Sequence, residues 1–171
     1  RATFFVVGTA AARHPELLRR MVAERHALGN HTWDHARLNF LCSAAALKRE
    51  LQRTDEAIFA ATGTRTPLVR PPFGARSSRV LRELRRLGYA CVLWSVPLAG
   101  EWKRMNPQLI ARAILDRVTD GSIIVLHDGD RGRAVDRRAV PEATRLLIER
   151  LRARGLQFVT VPEMLAQGDP R

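Results

Sequence analysis

Tyr89-Ala90-Cys91-Val92-Leu93-Trp94-Ser95-Val96 is a near-continuous apolar run that follows Gly88 and stops at Pro97. A strand with one wet face alternates apolar and polar residues. A run of this kind reads as a strand buried on both faces, which points to a parallel sheet covered by helices. Ser122–Leu126, after the turn Asp120-Gly121, reads the same way. Thr3–Val7, the short extended piece leading to His31, Leu68-Val69 and Leu156–Val161 bring the strand-like segments to six.

Helical patterns separate them. Pro15 suits the first turn of a helix running to about Leu28, where Gly29 breaks it. Ser43 caps a long helix to about Ala61, stopped by Gly63. Ser77 or Ser78 caps a helix to Leu87, Asn106-Pro107 opens one to about Val118, and Pro141 lies near the start of one that ends at Gly155. Strands alternating with helices predict an α/β fold, either a parallel barrel or a doubly wound sheet. No linker, repeat or low-complexity tract divides residues 1–171, so a single domain is expected; only Gly129–Arg138 reads as a polar loop.

Composition narrows the function classes. The 29 Lys+Arg outnumber the 17 Asp+Glu, and only Lys48 and Lys103 are lysines. The arginines are spread over every helix, as in Arg19-Arg20, Arg85-Arg86 and Arg150, Arg152 and Arg154, rather than gathered with aromatics. That distribution reads as a solvated helical surface, and no nucleic-acid partner is expected. No run of eighteen apolar residues exists to span a membrane. Cys91 reads as a buried thiol; the absence of Cys-x-x-Cys gives no zinc ribbon or redox motif, and the spacing leaves a disulfide with Cys42 open.

The chemically unusual residues fall where strands end, as functional residues do in parallel α/β folds. His31 and His35 follow the second strand, Arg70-Pro71-Pro72-Phe73-Gly74 the third, Trp94 to Trp102 the fourth and His127-Asp128 the fifth. If His31–His35 is helical, both imidazoles point the same way and share one cation; the alternative is two surface histidines at a helix start. A catalytic zinc takes three protein ligands and an open position. The third ligand is expected upstream of Arg1, since the sequence opens inside a strand-like run. His127 reads either as a general acid or as a histidine bonded to backbone, and Arg70 either as the two-pronged holder of a carboxylate or as a surface ion pair.

These motifs, in this order, resemble the NodB-homology polysaccharide deacetylases of carbohydrate esterase family 4. Ala2–Gly8 resembles the family's second strand. Gly29-Asn30-His31-Thr32-Trp33-Asp34-His35 is similar to its His-[Ser/Thr]-x-x-His metal motif, and Arg70-Pro71-Pro72-Phe73-Gly74 to its Arg-x-Pro-aromatic motif. Gly121–Asp128 resembles the strand bearing the catalytic histidine. The resemblance implies a distorted (β/α)7 barrel lacking its first strand and helix, with the family's Thr-Phe-Asp-Asp-Gly motif upstream of Arg1. It implies that His31 and His35 bind a divalent metal, zinc, cobalt or a similar ion, and that Arg70 orients a catalytic aspartate. It also gives Phe73 a backbone N–H on the oxyanion and makes His127 the proton donor to the leaving group. Pro72, Trp94, Trp102 and Val125 would face the substrate, although Trp94–Trp102 keeps only Glu101 of the family's Asp-x-x-Asp-Trp motif and Val125 replaces a leucine. The implied substrate is an N- or O-acetylated polysaccharide such as peptidoglycan or a chitin-like oligosaccharide, and the implied location secreted or at the cell envelope. The segment from Arg1 onward is expected to be inactive by itself. A catalytically inactive carbohydrate-binding relative, a cyclic-amide hydrolase and an acetylxylan esterase are the competing readings.

Overall fold

The computed structural model describes residues 1–35, 43–97, 106–129 and 136–168. The chain forms two compact units, one of Arg1–Leu93 with Thr160–Gln167 and one of Trp94–Val159 with Gly168–Arg171.

The first unit holds a four-stranded parallel sheet in chain order: β1 (Thr3–Val6), β2 (Ala27–Asn30), β3 (Leu68–Val69) and β4 (Ala90–Cys91). Parallel neighbours need a crossover between them. Helices α1 (Gly8–Arg13) and α2 (Pro15–Ala23) supply the first, α3 (Ala44–Thr62) the second and α4 (Ser78–Arg86) the third. The register aligns Val6, Asn30, Val69 and Cys91 in one row across the sheet. All four C-terminal strand ends therefore lie along one edge, and the segments that leave them meet there.

Helix α3 shows why these residues form these elements. The Ser43 hydroxyl accepts the Ala46 N–H at 3.1 Å, which satisfies one of the open donors of the first turn. Gly63 ends the helix at φ 68°, in the left-handed region. Between the caps, Leu47, Leu51, Thr54, Ile58 and Ala61 form one buried stripe spaced by three and four. Its first half packs with Val69, Val80 and Leu84, and its second half with Ala11, Leu18 and Leu28. Helix α7 (Val161–Ala166) also belongs to this unit; Thr160 and Glu163 close its N-terminus in a reciprocal box.

In the second unit α5 (Pro107–Leu115) and α6 (Ala139–Ala153) share a core of Ile110, Ala111, Ile114, Ala143, Leu147 and Leu151. Arg154 donates to the carbonyls of Leu115 at 2.8 Å and Val118 at 2.9 Å, satisfying open acceptors at the end of α5 and just past it. Val96 and Ile124 form an isolated parallel bridge. Among the described residues no helix is long and apolar enough to cross a membrane.

Several boundaries differ from the sequence reading. The helix from Pro15 stops at Ala23, Arg25 turns the chain at φ 64°, and Ala27–Asn30 is a strand. Gly29 is not a breaker: a Cβ there would lie 2.5 Å from the Phe5 ring, so glycine lets Phe5 lie across β2. The run Tyr89–Val96 contributes two residues to the sheet and then passes into the second unit. Ser122–Leu126 makes one bridge, and Leu156–Val161 forms no strand because Thr160 already caps α7. Apolar runs report burial; a ladder also needs a partner in register.

Two substitutions test this account. Leu51→Ala, at a fully buried position, should cost about 2–5 kcal/mol in urea unfolding. Gly63→Ala meets no atom within 4 Å, so its cost should be the left-handed backbone alone, about 1–2 kcal/mol.

Candidate active site

One row beyond Val6, Asn30 and Val69, the chain leaves the sheet at two adjacent strand ends. The His31 N–H still donates to the Val6 carbonyl at 3.0 Å, and the Arg70 N–H donates to the Asn30 carbonyl at 2.9 Å. Thr32 then turns out of the sheet at φ 65°, and His35 repeats the left-handed conformation at φ 60°. Residues 31–35 are thus a turn and not a helix. The pairing of His31 with His35 holds, but two backbone reversals produce it in place of the helical repeat.

Left-handed backbone at a threonine and a histidine costs free energy and needs surrounding structure to hold it. Here the turn is bonded on several sides. Asn30 Oδ1 accepts the Thr32 N–H at 2.9 Å, and Glu50 Oε2 accepts the Trp33 N–H at 3.0 Å. The first N–H groups of α1 donate into the turn, Gly8 to the Thr32 carbonyl at 2.9 Å and Thr9 to the Trp33 carbonyl at 2.8 Å. The Trp33 ring lies against Gly8, where a Cβ would be 2.4 Å from its Cε3, and Arg53 stacks on the ring at 3.8 Å.

The two imidazoles stand 4.8 Å apart between centroids at 75°, and the Phe73 ring meets His35 edge-on at 4.9 Å. His31 Nδ1 faces the Arg70 carbonyl oxygen. A carbonyl only accepts, so Nδ1 carries the proton and the lone pair of the neutral ring lies on Nε2. A ring-nitrogen bond to a backbone carbonyl is the usual support of a metal-bound histidine.

Arg70 is 9% exposed. Its Nε donates to the Val92 carbonyl at 3.2 Å, its Nη2 donates to the Leu93 carbonyl at 3.0 Å, and the guanidinium stacks on Phe5 at 4.1 Å. Burial lowers its pKa to about 10, so it stays charged at neutral pH. Pro71 and Pro72 are buried and end β3. Phe73 sits in a short 3-10 turn at φ 58° and is 53% exposed. The turn is closed by the Gly74 N–H on the Pro71 carbonyl at 3.1 Å and the Ala75 N–H on the Pro72 carbonyl at 3.2 Å.

The structure thus gathers His31, His35, Arg70, Pro72 and Phe73 within the first unit. Trp94, Val125 and His127 belong to the second: Trp94 is half-buried, Val125 is buried with its N–H on the Val96 carbonyl at 3.3 Å, and His127 is exposed. Trp102, Glu101 and Cys42 lie outside the described residues. Cys91 carries a free thiol whose pKa burial pushes up. Among the described residues no three His, Cys, Asp or Glu side chains gather as a metal site.

Sequence reasoning missed a buried polar group behind the turn. Asn30, fully buried, donates through Nδ2 to the Leu51 carbonyl at 2.9 Å and to Asp55 Oδ1 at 2.7 Å. The Tyr89 hydroxyl donates to Asp55 Oδ2. Burial raises the Asp55 pKa, against the lowering effect of these two bonds, and also pushes the Tyr89 phenol up. The available signal was an acid beside the apolar stripe of α3 and an asparagine ending a buried strand.

The sequence profile described as polysaccharide deacetylase matches residues 1–92. The chain is 36% identical over 171 residues to a chitooligosaccharide deacetylase of Bradyrhizobium sp. (strain ANU 289), covering 95% of this chain and 77% of that protein. It is 32% identical over 167 residues to the peptidoglycan-N-acetylglucosamine deacetylase PgdA of Listeria monocytogenes, covering 98% of this chain but only 33% of that one. The chain therefore spans about a third of the length of that relative. A solved family 4 acetyl xylan esterase from Clostridium thermocellum, in complex with a cobalt ion, superposes with a TM-score of 0.84 at 28% identity, covering 96% of this chain and 77% of that one. By profile, by relatives and by its parallel α/β fold, the chain belongs to the polysaccharide deacetylase family.

Proposed function

We propose that the protein is a metal-dependent hydrolase that removes acetyl groups from an N-acetylated polysaccharide of the peptidoglycan or chitin-like class. The observation that carries this reading is the bond between His31 Nδ1 and the Arg70 carbonyl, with the His35 ring alongside. Two neutral imidazoles, one with its tautomer fixed, suit a borderline ion such as zinc or cobalt, and the cobalt in the acetyl xylan esterase supports that choice. When bound, such an ion polarises an acetyl carbonyl and lowers the pKa of a coordinated water.

The remaining roles fall to the chain's own groups. His31 and His35 hold the ion. The reaction also needs a carboxylate to take a proton from the attacking water, and Arg70, held and charged at neutral pH, is the residue that would orient it. The Phe73 N–H donates to the oxyanion as the carbonyl carbon becomes tetrahedral. His127 gives a proton to the sugar nitrogen as the carbon–nitrogen bond breaks, so that acetate and a free amine leave. By the family resemblance, Pro72, Trp94, Trp102 and Val125 are the residues expected to touch the sugar or its acetyl group.

Two experiments test these roles. In a zinc titration, His35→Ala should weaken binding at least about tenfold, and binding to the parent should fall as pH drops, because protons compete for the imidazoles. Unchanged affinity in His35→Ala would remove it from the ligand set. In the active protein, His127→Ala should lower kcat on an N-acetylated oligosaccharide by about 10²- to 10⁴-fold without loss of metal. An activated aryl acetate, whose leaving group needs little protonation, should be affected much less. Equal losses on both substrates together with loss of metal would make His127 a ligand or a structural residue.

A further inference from the structure

We infer that Asp55 is a positioning residue for the His31–His35 turn, acting through the side-chain amide of Asn30. The inference rests on the reading of those two histidines as metal ligands. An asparagine amide has two N–H donors on one side and one oxygen on the other, and which side faces Thr32 decides whether the turn is supported. The Leu51 carbonyl and Asp55 Oδ1 take the two donors at 2.9 and 2.7 Å, so Oδ1 must face the Thr32 N–H, which it accepts at 2.9 Å. A rotated amide would set donor against donor at Thr32 and acceptor against acceptor at Asp55.

The carboxylate itself is held. The Tyr89 hydroxyl, one residue before β4, donates to its other oxygen. Asp55 thus joins α3, the end of β2 and the approach to β4, while touching neither histidine. An aspartate beside the buried stripe of α3 is a costly way to pack a helix that Leu47, Leu51 and Ile58 already hold. What an apolar side chain cannot supply there is an acceptor for the second Nδ2 hydrogen of Asn30, the first being taken by the Leu51 carbonyl. His31 lies between Asn30 and Thr32, so an amide free to rotate releases the backbone that aims its ring.

The test uses zinc alone on the protein and its Asp55→Ala and Asp55→Asn variants, by chelator competition, with the visible spectrum of the cobalt-loaded forms, the melting temperature without metal and amide exchange at Thr32. Asp55→Ala should bind zinc about 10- to 100-fold more weakly, alter the cobalt spectrum and speed exchange at Thr32. Asp55→Asn, whose oxygen can still accept from Asn30 while its nitrogen turns to Tyr89, should restore most of the affinity. A purely structural role predicts a lower melting temperature with the zinc affinity of the folded protein unchanged, and that result overturns the inference. An Asp55→Asn variant as weak as Asp55→Ala also overturns it, since charge and not amide orientation would then matter. If Asp55→Ala does not fold, Asp55→Asn and Tyr89→Phe carry the test: near-parent zinc affinity for the first with a measurable loss for the second supports the relay, and no loss in Tyr89→Phe counts against it. If the parent protein binds no zinc, the metal reading fails by itself, and Thr32 exchange in Asp55→Ala still decides the positioning role.

Discussion

Thr32 can leave the sheet at φ 65° only if its N–H finds an acceptor inside the protein, and Asn30 Oδ1 is that acceptor. Buried backbone donors are almost always satisfied. The Thr32 hydroxyl, also buried, has no hydrogen-bond partner among the described residues, so backbone groups and not that side chain hold the turn. From this bond follows the reversal that brings His35 back beside His31, where the Phe73 ring, presented by its own turn, meets it edge-on. Three elements of the first unit and the residue after a fourth supply the supports: β1 through Val6, α1 through Gly8 and Thr9, α3 through Glu50 and Leu51, and the end of β3 through the adjoining Arg70. None of these is a long loop, and sites carried on rigid elements hold their geometry more closely than sites on loops.

Arg70 serves the site in two directions. Its carbonyl fixes the tautomer of His31, while its side chain runs back over Phe5 to the carbonyls just past β4. A buried guanidinium bonded to carbonyl dipoles is a positive charge with little freedom to move. Such a fixed charge can bias an anion without reorganising when the anion forms.

Much of this was legible in the sequence where a local rule decides the outcome. Ser43 with Gly63, Ser77 before α4 and Asn106 before α5 mark helix ends because caps are made by residues a few positions apart. His31, His35, Arg70 and Phe73 stood out because their residue types are unusual beside strand ends. The geometry of the histidine pair was not legible, since a spacing of four suits a helix and only tertiary bonds impose the double reversal. Strand lengths were overread at Tyr89–Val96, Ser122–Leu126 and Leu156–Val161, where apolar composition reports burial without saying which partner lies in register. The Asn30–Asp55–Tyr89 group was invisible because its members lie 25 and 34 positions apart and none belongs to a local pattern.

The return of α7 to the first unit bears on how the protein is made. The Val161 N–H donates to Thr3 Oγ1 at 2.9 Å across 158 positions, and Arg1 pairs with Glu163 at 2.6 Å. Helices α1 to α4 and the four strands can begin to associate as they leave the ribosome. Arg1 and Thr3 cannot receive their α7 contacts until Trp94–Val159 has been synthesised. Contacts of such long separation form late and slow folding. The first unit is therefore completed only after most of the second has been made, because the residues Thr160–Gln167 that belong to it follow Trp94–Val159.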